Sequence, residues 1–133
     1  MSSETRRYIV HFPGECTEHL RLIPLGSGYY RAEESSLLND SINLGDEITA
    51  KIIHEGEISF LHVSHKSPYV TLRWLISETA TKSEGLDRFL EQVNGAGGLW
   101  ERALGGLLIL HLPRESAFDP EREFTRQTDL EIG

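Results

Sequence analysis

Six histidines are the residues of this chain most suited to bind a metal ion. His62 and His65 lie three residues apart near the end of a predicted strand, and an odd separation in an extended chain sends two side chains to opposite faces. A closed metal site needs three or four convergent ligands. The remaining histidines fall in four separate segments: His11, His19, His54 and His111. We therefore expect no metal site and no bound cofactor.

The single cysteine is the best candidate for a nucleophile. Cys16 lies between His11 and His19, which suggests a thiol activated by an imidazole. Activation requires a base held in contact with the sulfur, which proximity in a loop does not provide. We interpret Cys16 as a buried or incidental thiol. The chain also has no G-x-S-x-G nucleophile motif, so we predict no catalytic residues and favour a protein that is not an enzyme.

Two polar or glycine-rich segments could meet an anion. Residues 64–67, Ser-His-Lys-Ser, concentrate polar donors and are the best local candidate for a small anionic ligand. Residues 95–98 resemble a phosphate-binding loop in composition, but they follow a predicted helix, whose C-terminal end repels anions. We interpret that loop as a flexible segment that lets Trp100 and Glu101 close over a surface.

Charge and hydropathy exclude several classes of partner. The formal net charge is −8, from 13 Lys and Arg against 21 Asp and Glu, whereas nucleic-acid binding depends on clustered basic side chains. The longest apolar stretch, residues 105–110, is far shorter than the ~20 residues that span a bilayer. The N-terminal segment alternates instead of forming the apolar core of a signal peptide. We expect a cytoplasmic protein that binds neither nucleic acid nor membranes.

The first half of the chain has the period of half-buried strands. Tyr8, Val10 and Phe12 alternate with polar side chains. A second strand is predicted around residues 20–25, and the turn at residues 26–28 leads into a third at 29–33. These segments predict the beginning of an antiparallel sheet.

Residues 46–64 predict a hairpin with a two-residue turn at Glu55 and Gly56. In this register Ala50 faces Leu61, and Ile48 faces Val63. The apolar side chains then share one face: Ile48, Ala50, Ile52, Leu61 and Val63.

The second half mixes one strand pair with helices. The alternation of Val70, Leu72, Trp74 and Ile76 predicts a strand over 69–76. Apolar residues at i, i+3, i+4 and i+7 predict a helix over 81–94. The apolar run 107–112 is typical of a strand buried on both faces at the centre of a sheet. Asp119 and Pro120 have the types that begin a short helix.

These elements predict an α+β fold, because the helices follow the strands instead of alternating with them. We expect an antiparallel curled sheet or partial barrel from residues 7 to 76, with one main amphipathic helix packed on it. The length favours a single domain over 1–133. Its ordered core is expected over 7–113, followed at 114–133 by a short helix and a tail.

Four short motifs resemble a family of small bacterial proteins classed as a domain of unknown function. They are Gly28-Tyr29-Tyr30-Arg31, Leu44-Gly45-Asp46-Glu47-Ile48, Ser67-Pro68-Tyr69-Val70-Thr71-Leu72-Arg73 and Gly98-Leu99-Trp100-Glu101. The resemblance covers residues 8–113 and implies a bacterial origin and a single compact domain. It nominates polar positions that match the pattern: Asp46, Ser67, Thr71, Arg73 and Glu101.

The first functional hypothesis is a non-enzymatic interaction module. Without a nucleophile, base or metal framework, the sheet surface and Trp100 remain as the features suited to a protein partner or to a second copy of the chain. A large aromatic side chain beside a glycine-rich loop is typical of such contacts.

Two alternatives stay open. A small-ligand-binding or hydrolytic protein would collect polar side chains from distant segments into a pocket around Arg73: Ser67, Thr71, Arg73, Glu101 and Tyr30. An ion pair of Arg73 with Glu101 that braces the sheet explains the same two residues. An immunity or antitoxin-like protein is suggested by small size and acidity alone.

Overall fold

The computed structural model describes residues 4–130, and this range contains eight strands and three helices. The chain forms two compact units, Met1–Ser67 and Pro68–Gly133. The first holds five strands, and the second holds three strands and all three helices. The α+β class predicted from the sequence is confirmed, and the single domain over 1–133 stays a prediction.

The first unit is a closed five-stranded barrel. Consecutive strands pair antiparallel, and β1 closes the barrel by pairing parallel with β5 from Ile9–Glu57 to His11–Ser59. The strands are β1 (Arg6–Phe12), β2 (Cys16–Gly26), β3 (Tyr29–Ala32), β4 (Glu47–His54) and β5 (Glu57–His65). The predicted partial barrel is therefore complete within residues 6–65.

Alternate residues of the barrel strands fill its interior. Tyr8, Val10 and Phe12 are buried on β1, as their alternation predicted. The other strands contribute Leu20, Leu22, Tyr30, Ala32, Ile48, Ala50 and Ile58, and the loop before β4 adds Ile42. A closed barrel leaves no free strand edge, which removes the main aggregation hazard of a sheet.

The β4–β5 hairpin departs from the predicted register in its middle. Ile48 faces Val63 and His54 faces Glu57 as expected, but Ala50 faces Phe60 instead of Leu61 because β-bulges shift the pairing. A bulge sets two residues of one strand against one of its partner and turns the extra residue out. Leu61 is consequently 56% exposed, and Ile52, also predicted to face the core, is 61% exposed.

The second unit is a three-stranded antiparallel sheet with helices on one face. The elements are β6 (Tyr69–Leu75), α1 (Glu78–Thr81), α2 (Glu84–Gly95), β7 (Leu99–Ala103), β8 (Leu107–Pro113) and α3 (Pro120–Thr128). The strand order is β6-β8-β7, so the apolar strand β8 is central, as predicted. The prediction of one continuous sheet from residue 7 to residue 76 is wrong, because β6 pairs with β8. The central strand β8 pairs with β6 on one edge and with β7 on the other, so β6 belongs to the second sheet.

The helix α2 begins at the N-cap Ser83, whose hydroxyl accepts a hydrogen bond from the amide of Leu86. The expectation of one main helix is not met, because α3 packs beside α2. Phe124 of α3 is fully buried and contacts Phe89 edge-on at 5.4 Å and Trp74 at 5.7 Å between ring centroids. Asp119 caps α3 as predicted. The end of the predicted tail, residues 131–133, lies outside the described residues.

No helix within residues 4–130 combines the length and apolar character that crossing a membrane requires.

Candidate functional site

Three of the predicted site residues lie on one face of the second sheet: Thr71, Arg73 and Glu101. The side chains of Leu72 and Trp74 belong to the core under the helices. Since side chains alternate along a strand, Thr71 and Arg73 of β6 point to the opposite face. His111 of β8 pairs directly with Thr71 and shares that face.

A hydrogen-bonded network runs across this face of the sheet. Thr71 Oγ1 lies 2.9 Å from His111 Nδ1, and Glu101 Oε2 lies 2.7 Å from His111 Nε2. The imidazole is fully buried, and the Glu101 side chain is 19% exposed. Because a carboxylate only accepts, Nε2 donates to Glu101, and in a neutral imidazole Nδ1 then accepts from the Thr71 hydroxyl.

The same order of hydroxyl, imidazole and carboxylate activates nucleophiles in hydrolases. Here it also satisfies both ring nitrogens of a histidine inside an apolar strand, where an unpaired polar group would cost about 1–3 kcal/mol. The network therefore accounts for His111 as a bracing residue that ties β6 and β7 to β8. Sequence reasoning missed His111, although it is the one polar residue in the apolar run 107–112.

Arg73 and Glu101 lie in one row of the sheet with Ile109 between them. Arg73 pairs with Ile109 on one side, and Glu101 pairs with Ile109 on the other. Two strand spacings separate their backbones by about 10 Å. Ile109 is fully buried, so the two charged side chains flank an apolar residue. The direct ion pair between Arg73 and Glu101 stays a prediction.

Ser67 and Tyr30, the remaining polar candidates, belong to the first unit. The backbone N–H of Ser67 donates to Asp46 Oδ1 at 2.7 Å, and Asn43 N–H donates to Asp46 Oδ2 at 2.9 Å. Asp46 thus fixes the chain before β4, as expected from its position after a glycine. Tyr30 lies in the barrel core, with its ring edge-on to Tyr8 at a centroid distance of 5.2 Å. Burial raises the pKa of Tyr30, and the neighbouring Tyr8 raises this pKa further.

Trp100 lies in a strand and not in a mobile loop, which corrects the sequence interpretation. It pairs with Leu110 in β7 and is 37% exposed. The glycine before the strand is buried: a Cβ on Gly98 would lie 2.7 Å from the carbonyl oxygen of His111. Gly98 is thus required by close packing, and it holds β7 in place.

The turn between β7 and β8 carries an exposed leucine in an unusual conformation. Leu104 is 79% exposed and has a φ of +53°. An open cleft of about 410 Å³ lies beside this turn, lined by Ile76, Glu78, Thr81, Gly105 and Gly106. Leu75, at the end of β6, is 68% exposed. We name the outer edge of β7 the β7 surface: Leu99 and Trp100 flank this edge on opposite faces of the sheet, and Leu104 lies at its end.

The histidines do not converge. Within residues 4–130, no three His, Cys, Asp or Glu side chains are grouped so that they could hold a metal ion. Two exposed or half-buried histidines meet single carboxylates instead: His11 Nε2 lies 2.6 Å from Glu57, and His65 Nδ1 lies 3.7 Å from Glu47.

Comparison with known proteins identifies a fold and no activity. No family model matches the sequence, and no curated protein matches it. The fold is similar to a crystal structure of a hypothetical protein from Neisseria gonorrhoeae, with a TM-score of 0.64 over 97% of this chain and 89% of that chain. The two sequences are 13% identical, so the likeness concerns the fold alone. The resemblance to a small bacterial family through four motifs stays a prediction.

Proposed function

We propose that this protein is a non-enzymatic interaction module that binds an extended segment of a protein partner along the β7 surface. The observation that carries the proposal is Leu104, which is 79% exposed in the left-handed backbone region. The partner segment would lie beside β7 and place an apolar side chain against Leu104.

Leu104 is a poor choice for the stability of its own turn. An L-residue in the left-handed region costs about 1–2 kcal/mol, and Asn or Gly would reduce that cost. Exposure of the side chain to water forfeits its hydrophobic contribution as well. A residue that weakens the fold in two ways at an exposed tip is best explained by a contact made outside the chain.

The strand next to Leu104 has the form that strand addition requires. β7 pairs with β8 on one edge, and no other strand of the described residues pairs with its second edge. An unpaired edge offers alternate backbone N–H and C=O groups to an extended peptide. Leu99 and Trp100 are 39% and 37% exposed and supply apolar contacts beside that edge.

The charge of the chain favours a different protein over a second copy of the chain as the partner. In a symmetric antiparallel pair of β7 strands, the two-fold axis perpendicular to the sheet makes one residue face its own equivalent. Full overlap of residues 99–103 would set Glu101 opposite Glu101, a shift one way would set Arg102 opposite Arg102, and a shift the other way would set Trp100 opposite Trp100. Like charges directly opposite destabilise a strand pair. The net charge of −8 further favours a partner with basic side chains.

Selection from a random-peptide display library tests the proposal. We expect the wild-type protein to enrich peptides with alternating apolar and basic positions. The variant Trp100→Ala/Leu104→Asn should lose this enrichment and bind a selected peptide at least about tenfold more weakly. Leu61→Ser is the matched control, because Leu61 is an exposed leucine on the barrel, 56% accessible. Equal enrichment by all three proteins would exclude the β7 surface.

The stability of Leu104→Asn separates binding from folding. Since Asn tolerates the left-handed region, the variant should be about 0.5–1 kcal/mol more stable while it binds peptide less well. Leu75→Asn replaces an equally exposed leucine in a strand and should not become more stable. A rise in stability without any loss of peptide binding would argue that Leu104 has no partner.

A further inference from the structure

A pocket at one end of the barrel has a lining suited to a small anion. It has a volume of about 270 Å³. It lies where β1 and β5 begin and β4 ends, and it belongs entirely to the first unit. The residues that matter for its chemistry are Arg6, Arg7, Tyr8, Tyr30, His54 and Ile58.

Two tyrosines form the floor of this pocket. Tyr8 and Tyr30 are 7% and 5% exposed, and their rings meet edge-on at 5.2 Å. Neither phenol oxygen is hydrogen-bonded to another residue of the range 4–130. Neither oxygen is fully enclosed by the protein, so both open onto the pocket. Two hydroxyls that open into the same pocket without a protein partner offer two donors to a ligand that accepts hydrogen bonds.

The two arginines at the rim supply the charge. Arg6 and Arg7 are exposed, and neither makes an ion pair with a carboxylate within residues 4–130. The chain has 21 acidic residues, so carboxylates are plentiful, yet these neighbouring guanidiniums are left for an external anion. Glu55 also lines the pocket, which leaves two guanidiniums against one carboxylate.

The apolar part of the lining limits the class of anion. Ile58 is 1% exposed and lies beside the tyrosine rings, and Ile52 completes an apolar wall. A fully hydrated inorganic ion gains nothing from such a wall, whereas a hydrocarbon group is stabilised by leaving water. The lining therefore fits a molecule with a charged end and a short apolar body.

We propose that this pocket binds a small organic carboxylate. Arg6, which shares the parity of Tyr8 on β1, binds the carboxylate, and Arg7 adds positive charge at the rim. The hydroxyls of Tyr8 and Tyr30 donate to the carboxylate, and its apolar body lies against Ile58. Guanidinium groups bind carboxylates through paired, charge-assisted hydrogen bonds. The site is separate from the β7 surface and does not depend on the function proposed there.

Titration of the ¹⁵N-labelled protein with benzoate tests this site. We expect amide shifts at residues 6–8, 30 and 54–58, and much weaker shifts with benzyl alcohol, which has the same ring without the charge. Arg6→Gln/Arg7→Gln should weaken benzoate binding by at least about tenfold, and Tyr30→Phe by about fivefold. Both substitutions retain most of the side-chain volume and leave the barrel core filled.

The control changes the same charge elsewhere. Arg114→Gln/Arg126→Gln has the same net charge as the pocket variant, but both positions lie in the second unit. Equal weakening in the two double variants would reduce the effect to general electrostatics and overturn the proposal. Amide shifts induced by benzoate mainly at residues outside the pocket would also overturn the proposal. Binding of inorganic phosphate at these residues, with none of benzoate, would overturn the assignment to an organic carboxylate.

Discussion

Gly85 of α2 lies directly against the backbone of Gln127 in α3. A Cβ on Gly85 would fall 2.0 Å from the carbonyl oxygen of Gln127 and 2.9 Å from Thr128 Cα. Arg88 strengthens the same contact, because its Nε donates to Gln127 Oε1 at 3.1 Å. The helices α2 and α3 therefore approach each other at a point where a side chain cannot fit.

Gly85→Ala should destabilise the protein by about 1–3 kcal/mol or more, since backbone cannot move aside as a side-chain end can. Gly95→Ala is the matched control on the same helix, because nothing lies within 4 Å of its added Cβ. Alanine there should stabilise the helix by up to about 1 kcal/mol. Urea denaturation measures both, and similar free energies of unfolding would contradict the close approach.

A pair of truncations tests the register of the β4–β5 hairpin. Ile58→Ala should cost about 2–5 kcal/mol because Ile58 is 1% exposed in the barrel core. Leu61→Ala should change the free energy of unfolding by less than about 0.5 kcal/mol. The unbulged register, with Leu61 inside, gives a large cost at Leu61, so thermal and urea denaturation of the two variants distinguish the registers.

The network around His111 predicts a measurable coupling. Glu101→Ala leaves the buried Nε2–H without its acceptor and should cost about 1–3 kcal/mol. Thr71→Val should cost about 1 kcal/mol, and the double variant should deviate from additivity because both residues bond the same imidazole. Glu91→Ala removes an exposed carboxylate from α2 and controls for net charge. Additive effects of the two substitutions would show that His111 does not link them.

The raised pKa of Tyr30 predicts a loss of stability in alkali. Below the ordinary tyrosine pKa of 10.0, Tyr30 is protonated in both states and its contribution is constant. Above that pH the unfolded chain ionises first, so the free energy of unfolding falls as pH rises towards the higher folded-state pKa. Tyr30→Phe should flatten this decline, whereas Tyr29→Phe, at a 45% exposed position, should not. Urea midpoints measured across this pH range provide the test.

Strong periodic patterns predicted most elements. The alternation at Tyr8, Val10 and Phe12, and the helical stripe that contains Phe89 and Val93, each bury one face, so local sequence specifies them. The middle of the β4–β5 hairpin could not be predicted in this way. Apolar side chains occupy both alternating sets of positions there: Ile52, Ile58 and Leu61. A bulge determines which of them face the core, and it depends on contacts across the whole barrel.

The candidate site was predicted in part because polar residues on strands are visible in sequence. Thr71 and Glu101 were nominated, but their common partner His111 was not. The contact depends on β6 and β7 flanking β8, and Thr71 lies 40 positions from His111. Pairing between such distant strands leaves no local signature. The exposure of Leu104 was also beyond prediction, because its turn conformation follows from how β7 and β8 meet.

The parallel seam between β1 and β5 sets the order in which the protein can form during synthesis. Ile9 of β1 pairs with Glu57 of β5, so the barrel cannot close until almost all of the first unit has left the ribosome. Closing so long a loop carries an entropic cost, whereas the neighbouring strands of each hairpin can meet early. Until closure, β1 and β5 expose free edges to other nascent chains. The hydrogen bond between His11 and Glu57, at 2.6 Å, then joins the first and last strands of the barrel, β1 and β5.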